Sequence, residues 1–254
     1  MTKRKRRLVR DYCGAVALAL TAVAASADDL AGAPSWPTEE FHFTRLYYEG
    51  SGRGWRGGFQ TDYPEAEYHF TMAVSRLTRV GIGEQSRLLE LTDDTIFDYP
   101  WLYAVEVGSW YLDDDEAARL REYLLRGGFL MTDDFHGAAE WASFMESMQR
   151  VFPDRPVVEI ADGDEVLHVL YDVDERIQIP GIAALRYGVT YERDGVVPHW
   201  RGIYDDSGRL MVAINFNMDL GDAWEHADDS FYPEPMTALA YRFAVNYVIY
   251  AMTH

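Results

Sequence analysis

Cysteine is nearly absent from this 254-residue chain: Cys13 is the only one. It stands at the start of an N-terminal apolar run, so residues 28–254 carry none. That excludes a disulfide, a thiol nucleophile and a thiolate metal site from the body of the protein. Basic residues are also scarce, 23 against 42 acidic ones, for a net charge of −19. A surface of that sign repels nucleic acid and anionic lipid, and neither is expected as a partner. Neither a G-x-S-x-G nucleophile elbow nor an H-E-x-x-H zinc motif occurs, which removes the commonest hydrolase signatures. Long apolar runs are lacking too. The one candidate, Tyr12 to Ala25, is about 14 residues, short of the ~20 that span a bilayer.

What surrounds that run gives it a meaning. Lys3, Arg4, Lys5, Arg6, Arg7 and Arg10 precede it, and Ala25-Ser26-Ala27 follows as a small-x-small cleavage signal. The order is that of a secretory signal peptide. Residues 1–27 are therefore expected to be cleaved, the alternative being an anchor that is retained. Cleavage takes away six of the 23 basic residues and one of the 42 acidic ones, which moves the net charge from −19 to near −24. The expected location is periplasmic or secreted, with no stable membrane span once the signal is gone. Residues 28–40, rich in Ala, Pro and acid, read as a flexible leader. Residues 41–254 are long enough for one α/β domain with its own core.

Strand and helix patterns alternate along that domain. Phe41 to Tyr48 reads as a strand, followed by a glycine-rich loop over 51–58. Asp62 and Glu65 have N-cap and N3 spacing, and Phe70, Ala73, Val74 and Leu77 share a helical face. Strands are expected over Arg87–Leu91, Trp101–Val107 and Phe129–Thr132. A helix opens at Asp113, with Glu116 three residues on, and stops at Gly127-Gly128; another is marked by Trp141, Met145 and Met148. The alternation implies βαβ units, a mostly parallel sheet and a three-layer sandwich. The second half differs. His199–Tyr204 and Arg209–Phe216 read as a β-hairpin turning at 205–208, an antiparallel extension, before a last helix that opens at Pro235.

In such a sheet, ligands bind beyond the carboxyl ends of the strands. Asp133, Asp134 and His136 fall at one such end, where they can ligate a metal or form an acid/base pair, or else cap the next helix. Asp219, Asp222, Trp224, Glu225 and His226 crowd a second segment, with Asp222 and His226 on one face at i, i+4; the alternative there is an acidic surface loop. Asp62 and Tyr63 precede a helix and would join the same rim. Trp55 and Trp224 are candidates to stack on a ligand. Gly52-x-Gly54-x-x-Gly57 fails as a dinucleotide fingerprint because no helix opens at its glycines; an anion cradle helped by Arg53 and Arg56 or a plain flexible loop remains.

Taken together, FTRLYYEG (43–50), TDYP (61–64), YPWLY (99–103), GGFLMTDDFHG (127–137), WASFMESMQRVFP (141–153), DLGDAWE (219–225) and NYVIYAMTH (246–254) resemble the bacterial domain-of-unknown-function 4159 family over about residues 41–254. The resemblance implies a class I glutamine amidotransferase-like, flavodoxin-like fold and no particular activity. Amidotransferases of that class need a cysteine at a strand-to-helix elbow, which residues 28–254 cannot supply. The expectation is thus a non-catalytic ligand- or protein-binding module. Its rim is Asp62, Tyr63, Asp133, Asp134, His136, Asp219, Trp224 and Glu225, and its partner is an envelope protein or a small-molecule or carbohydrate ligand. The alternative is a metal-dependent hydrolase of a carbohydrate or other envelope component. In it a divalent metal sits on Asp134, His136, Asp222 and His226, with Glu225 as base.

Overall fold

The runs WLYAV, FLMTD and LMVAINF are apolar almost throughout, as strands covered on both faces must be. In the computed structural model they form β3 (Trp101–Val105), β4 (Phe129–Asp133) and β7 (Leu210–Phe216), every residue of them buried. The structure describes residues 41–48, 50, 58–83 and 85–254. The expected signal peptide, the leader and nearly all of the glycine-rich loop, with Arg53, Trp55 and Arg56, lie outside the described residues. The other strands are β1 (Thr44–Tyr47), β2 (Arg87–Glu90), β5 (Val158–Glu159) and β6 (His199–Tyr204). They join in one sheet of order β2-β1-β3-β4-β7-β6-β5. The first five strands in that order run parallel, and β6 and β5 add antiparallel pairs at one side.

Side-chain alternation along the strands divides the core into two layers. Trp101, Tyr103, Val105, Phe129 and Met131 pack with helices α1 (Glu65–Leu77), α5 (Leu220–Glu225) and α6 (Glu234–Thr253). Leu102, Ala104, Leu130, Val212 and Ile214 pack with α2 (Asp114–Leu125) and α3 (Gly137–Val151). A short helix, α4 (Ile182–Arg186), lies between β5 and β6 in sequence. The three-layer sandwich with an antiparallel extension is therefore what the chain forms.

Local signals explain several boundaries. Asp113 and Glu116 make a reciprocal capping box, each backbone N–H bonded by the other's carboxylate at 2.9 Å, a device worth about 1 kcal/mol. The β6–β7 turn is closed by Asp205, whose carboxylate accepts the N–H groups of Ser207 and Arg209. Gly208 there has φ +85°, the left-handed conformation that glycine adopts at little cost. The expected start of α1 needs correction. Asp62 does not cap it: the helix opens at Glu65 behind Pro64 with no side-chain cap. The buried stripe is Ala66, Phe70 and Val74, four residues apart, so Leu77 falls off it and is 47% exposed.

One buried ion pair ties β1 to α1. Arg45 bonds Glu67, both almost wholly inside, and its guanidinium also donates to the carbonyls of Phe59 (3.0 Å) and Thr61 (2.9 Å). Arg45 therefore fixes the chain leading into Asp62. Removing one partner of a buried pair strands the other's charge, at a cost of about 3–5 kcal/mol. Arg45→Met is expected to lose that much stability in urea unfolding. The double variant Arg45→Met/Glu67→Leu should recover a large part of it, because no unpaired charge remains.

Candidate functional site

The carboxyl ends of the parallel strands carry an unusual backbone. Among the described residues five non-glycine ones adopt positive φ: Asp62, Glu106, Asp134, Arg193 and Asn217. Three of them directly follow β3, β4 and β7. Such conformations cost about 1–3 kcal/mol each and gather where function requires them.

Asp133, the last residue of β4, is completely buried. One of its oxygens accepts the N–H groups of Leu220 (2.7 Å) and Gly221 (3.0 Å) and faces the Tyr103 hydroxyl at 3.3 Å. It thereby clamps the first turn of α5 onto the sheet. Its other oxygen has no partner among the described residues. Burial pushes this carboxyl up to about 7, against the pull of those N–H groups.

The clamp sets α5 beside the segment that Arg45 holds. Asp219 caps α5 by accepting the N–H of Asp222 at 2.8 Å, and Asp222 accepts the Ile182 N–H at 2.6 Å. Oxygens of Asp62, Asp219 and Asp222 all lie within 4.8 Å of one another. Close approach is possible because residue 221 is glycine: a Cβ there would stand 2.2 Å from Asp62 Oδ2. Asp62 itself sits in a left-handed conformation (φ +63°) rather than at a helix cap. Asp222, Glu225 and His226 form an adjoining group of the same tightness. Burial, then the charges of Asp222 and Glu225, holds Asp62 well above the usual carboxylate range. Burial, then Asp134 and Asp222, does the same to Asp219.

Asp134 and His136 form a separate pair, Nε2 to Oδ1 at 3.1 Å. Burial, then Arg193, lowers His136 to about 3, while burial, then Glu106 and Asp62, raises Asp134. With His136 held neutral, the two share a hydrogen bond rather than an ion pair. Neither caps α3: the Gly137 N–H goes to Asn217 (2.9 Å) and the Ala138 N–H to Asp194 (3.2 Å). Asp134 is still part of the same field, since its charge bears on Asp219. The four-residue metal set read from the sequence is thus divided. Asp222 and His226 stay together, Asp62 and Asp219 join them, and Asp134 with His136 stands apart among the described residues.

Two further expectations change. Trp224 has no exposed surface; its ring packs against Phe70 (4.8 Å) and Tyr103 (5.6 Å), so it supports the site from the core. Tyr63 adjoins Asp62 with its ring 54% exposed. His69 donates from Nδ1 to the carbonyls of Trp224 (2.8 Å) and Glu225 (3.1 Å), a structural role at the end of α5. Residues without a motif complete the rim: Glu106, Glu140, Glu192 and Arg193. Only Glu106 left a trace in the sequence, as an acid closing the apolar run WLYAV.

A family model for a domain of unknown function (DUF4159) matches residues 42–252. The chain belongs to that family. The match spans the whole sheet and every acid of the site, so the carboxylate rim of this DUF4159 protein lies inside the family's own domain. No curated protein matches the sequence. Among the described residues no helix is long and apolar enough to cross a membrane.

The raised carboxyls fix a pH dependence. A group with a folded value above its unfolded one binds its proton more tightly in the folded state, so stability falls as pH climbs between the two. Asp133 and Glu106 both rise to about 7 from 3.8 and 4.5. In the presence of chelator the domain is expected to lose stability from about pH 4 to about pH 7, at up to ~1.4 kcal/mol per pH unit for each such group. Asp133→Asn should flatten the profile. A stability that rises steadily over this window would contradict the assignment.

Proposed function

We propose that this is an exported domain that binds a small molecule, a carbohydrate or an envelope protein through a divalent cation held by Asp62, Asp219 and Asp222. The observation that carries the reading is the convergence within 4.8 Å of three carboxylates from two distant chain segments, Asp62 from one and Asp219 with Asp222 from the other, without a Lys or Arg ion pair among the described residues. Concentrating like charge in a half-dry crevice is unfavourable unless a cation offsets it. Asp62 Oδ2 is buried and has no hydrogen-bond partner among the described residues, as a donor atom awaiting a ligand would be. Carboxylate oxygens suit hard ions such as Mg²⁺, Ca²⁺ or Mn²⁺. The cation's remaining positions would take oxygens of the bound molecule.

A second reading, a metal-dependent hydrolase of a carbohydrate or other envelope component, is favoured by Glu225. Its carboxylate lies within 4.8 Å of Asp222 and His226, next to where a metal-bound water would need a base. Export rests on the basic, apolar and small-x-small order of residues 1–27.

Elemental analysis of the purified protein, with melting temperature followed in Mg²⁺, Ca²⁺, Mn²⁺, Zn²⁺ and chelator, tests the cation. At 100 times its dissociation constant a bound ion should add about 2.7 kcal/mol. Asp219→Asn and Asp222→Asn should each abolish that gain, whereas Asp134→Asn should retain it. Absence of both metal and shift would overturn the proposal.

A further inference from the structure

A second cleft, of about 560 Å³, opens between the turn after β3 and helix α3. That is within the range of small-molecule sites, about 300–1,000 Å³. Glu106 stands at its wall, in the left-handed conformation (φ +56°, ψ +34°) at the sharp turn from β3 into a single 3₁₀ turn. Four hydrogen bonds hold it there. Its N–H donates to the Asp133 carbonyl (3.1 Å), and its own carbonyl accepts from the Tyr48 hydroxyl (3.0 Å), the Ser109 N–H (3.1 Å) and the Ser109 hydroxyl (2.9 Å). A strained strand-to-helix turn fixed this firmly is the geometry that presents a working side chain.

The neighbouring acid is already engaged. Glu140 accepts the His136 N–H at 2.6 Å and pairs with Arg193 at 2.5 Å. Its stem lies directly over Gly108, where a Cβ would stand 2.4 Å from Glu140 Cβ, which sets both glutamates on one wall. The Glu106 carboxyl has no hydrogen bond or ion pair among the described residues. Trp110 also lines the cleft; it is 1% exposed, and its indole N–H lacks an acceptor among the described residues. The cleft therefore holds one uncommitted carboxylate, in the field of an acidic rim.

We propose that this cleft binds a protonated amine borne on a polyol, the aminosugar class, with Glu106 meeting the ammonium and the Ser143 hydroxyl of the same lining meeting a polyol oxygen. The site is independent of the cation at Asp62, Asp219 and Asp222. A ligand cation relieves a defined tension. Burial, then the charge of Glu140, raises Glu106 to about 7; Glu192 adds to this and Arg193 opposes it. Asp134, outside the lining, is raised by burial and then by the charge of Glu106. An ammonium favours the ionised form of Glu106, so binding should weaken as pH falls through 7.

The probes are 1-amino-1-deoxyglucitol, a protonated amine on a polyol, and glucitol, the same polyol without the amine. Both are titrated calorimetrically into the purified protein in chelator. The amine is expected to bind at least tenfold more tightly than glucitol. Glu106→Gln should remove that preference, Asp222→Asn should leave it intact, and affinity for the amine should drop about tenfold from pH 8 to pH 6. Equal binding of the two probes, binding that does not change with pH, or no binding of the amine would overturn the proposal. If Glu106→Gln fails to fold, the probe pair and pH series on the unaltered protein decide the matter. Loss of the metal-dependent shift with amine binding preserved would refute the cation reading alone.

Discussion

Asp133 is the constraint on which the rest of the site depends. It ends the central strand β4, and one of its oxygens takes the first two N–H groups of α5. That clamp settles where Asp219 and Asp222 point and brings Gly221 against Asp62. On the other side, the buried Arg45–Glu67 pair and the two carbonyls held by Arg45 deliver Asp62 to the same point. The carboxylate crevice is thus made by two rigid anchors, each rooted in the sheet. Neither anchor lies on a surface loop: Arg45 is on β1, Glu67 on α1 and Asp133 on β4.

The arrangement is costly for the fold by itself. Buried carboxyls face one another with little positive charge among them, and five non-glycine residues hold left-handed conformations at or near the strand ends. The large aromatic core offers the compensation. Phe43, Phe70, Trp101, Tyr103 and Trp224 form a continuous set of ring contacts directly beneath the acids. A domain without disulfides in its described part, and with strain concentrated at one rim, matches the general balance in which stability elsewhere supports a destabilised working site.

The rim also separates two kinds of carboxyl by what they bond. Asp219 and Asp222 each accept a backbone N–H and still present oxygens to Asp62, whereas Glu140 is engaged by Arg193 and the His136 N–H. Glu106 is engaged by nothing among the described residues. Groups of one chemical type are given different duties by their surroundings, and this would let the proposed cation centre and the proposed amine-binding cleft share one edge of the sheet.

Sequence alone determined the class of fold, the strand and helix order, the capping box at Asp113 and the β6–β7 hairpin, because these follow from periodicity and short-range hydrogen bonding. It also marked Asp133 and Asp134 as acids at a strand end, and Asp219 and Asp222 as members of a crowded acidic segment. Tertiary structure alone decided which acids meet. Asp62 lies far along the chain from Asp222, and only the glycine at 221 and the anchors at Arg45 and Asp133 bring them together. Trp224 looked like a loop residue because its neighbours are acidic, yet packing on Phe70 and Tyr103 puts it in the core. Glu192 and Arg193 had no local pattern to announce them, and Glu106 only its place after the apolar run WLYAV, since their roles come from the ends of separate segments converging on one crevice.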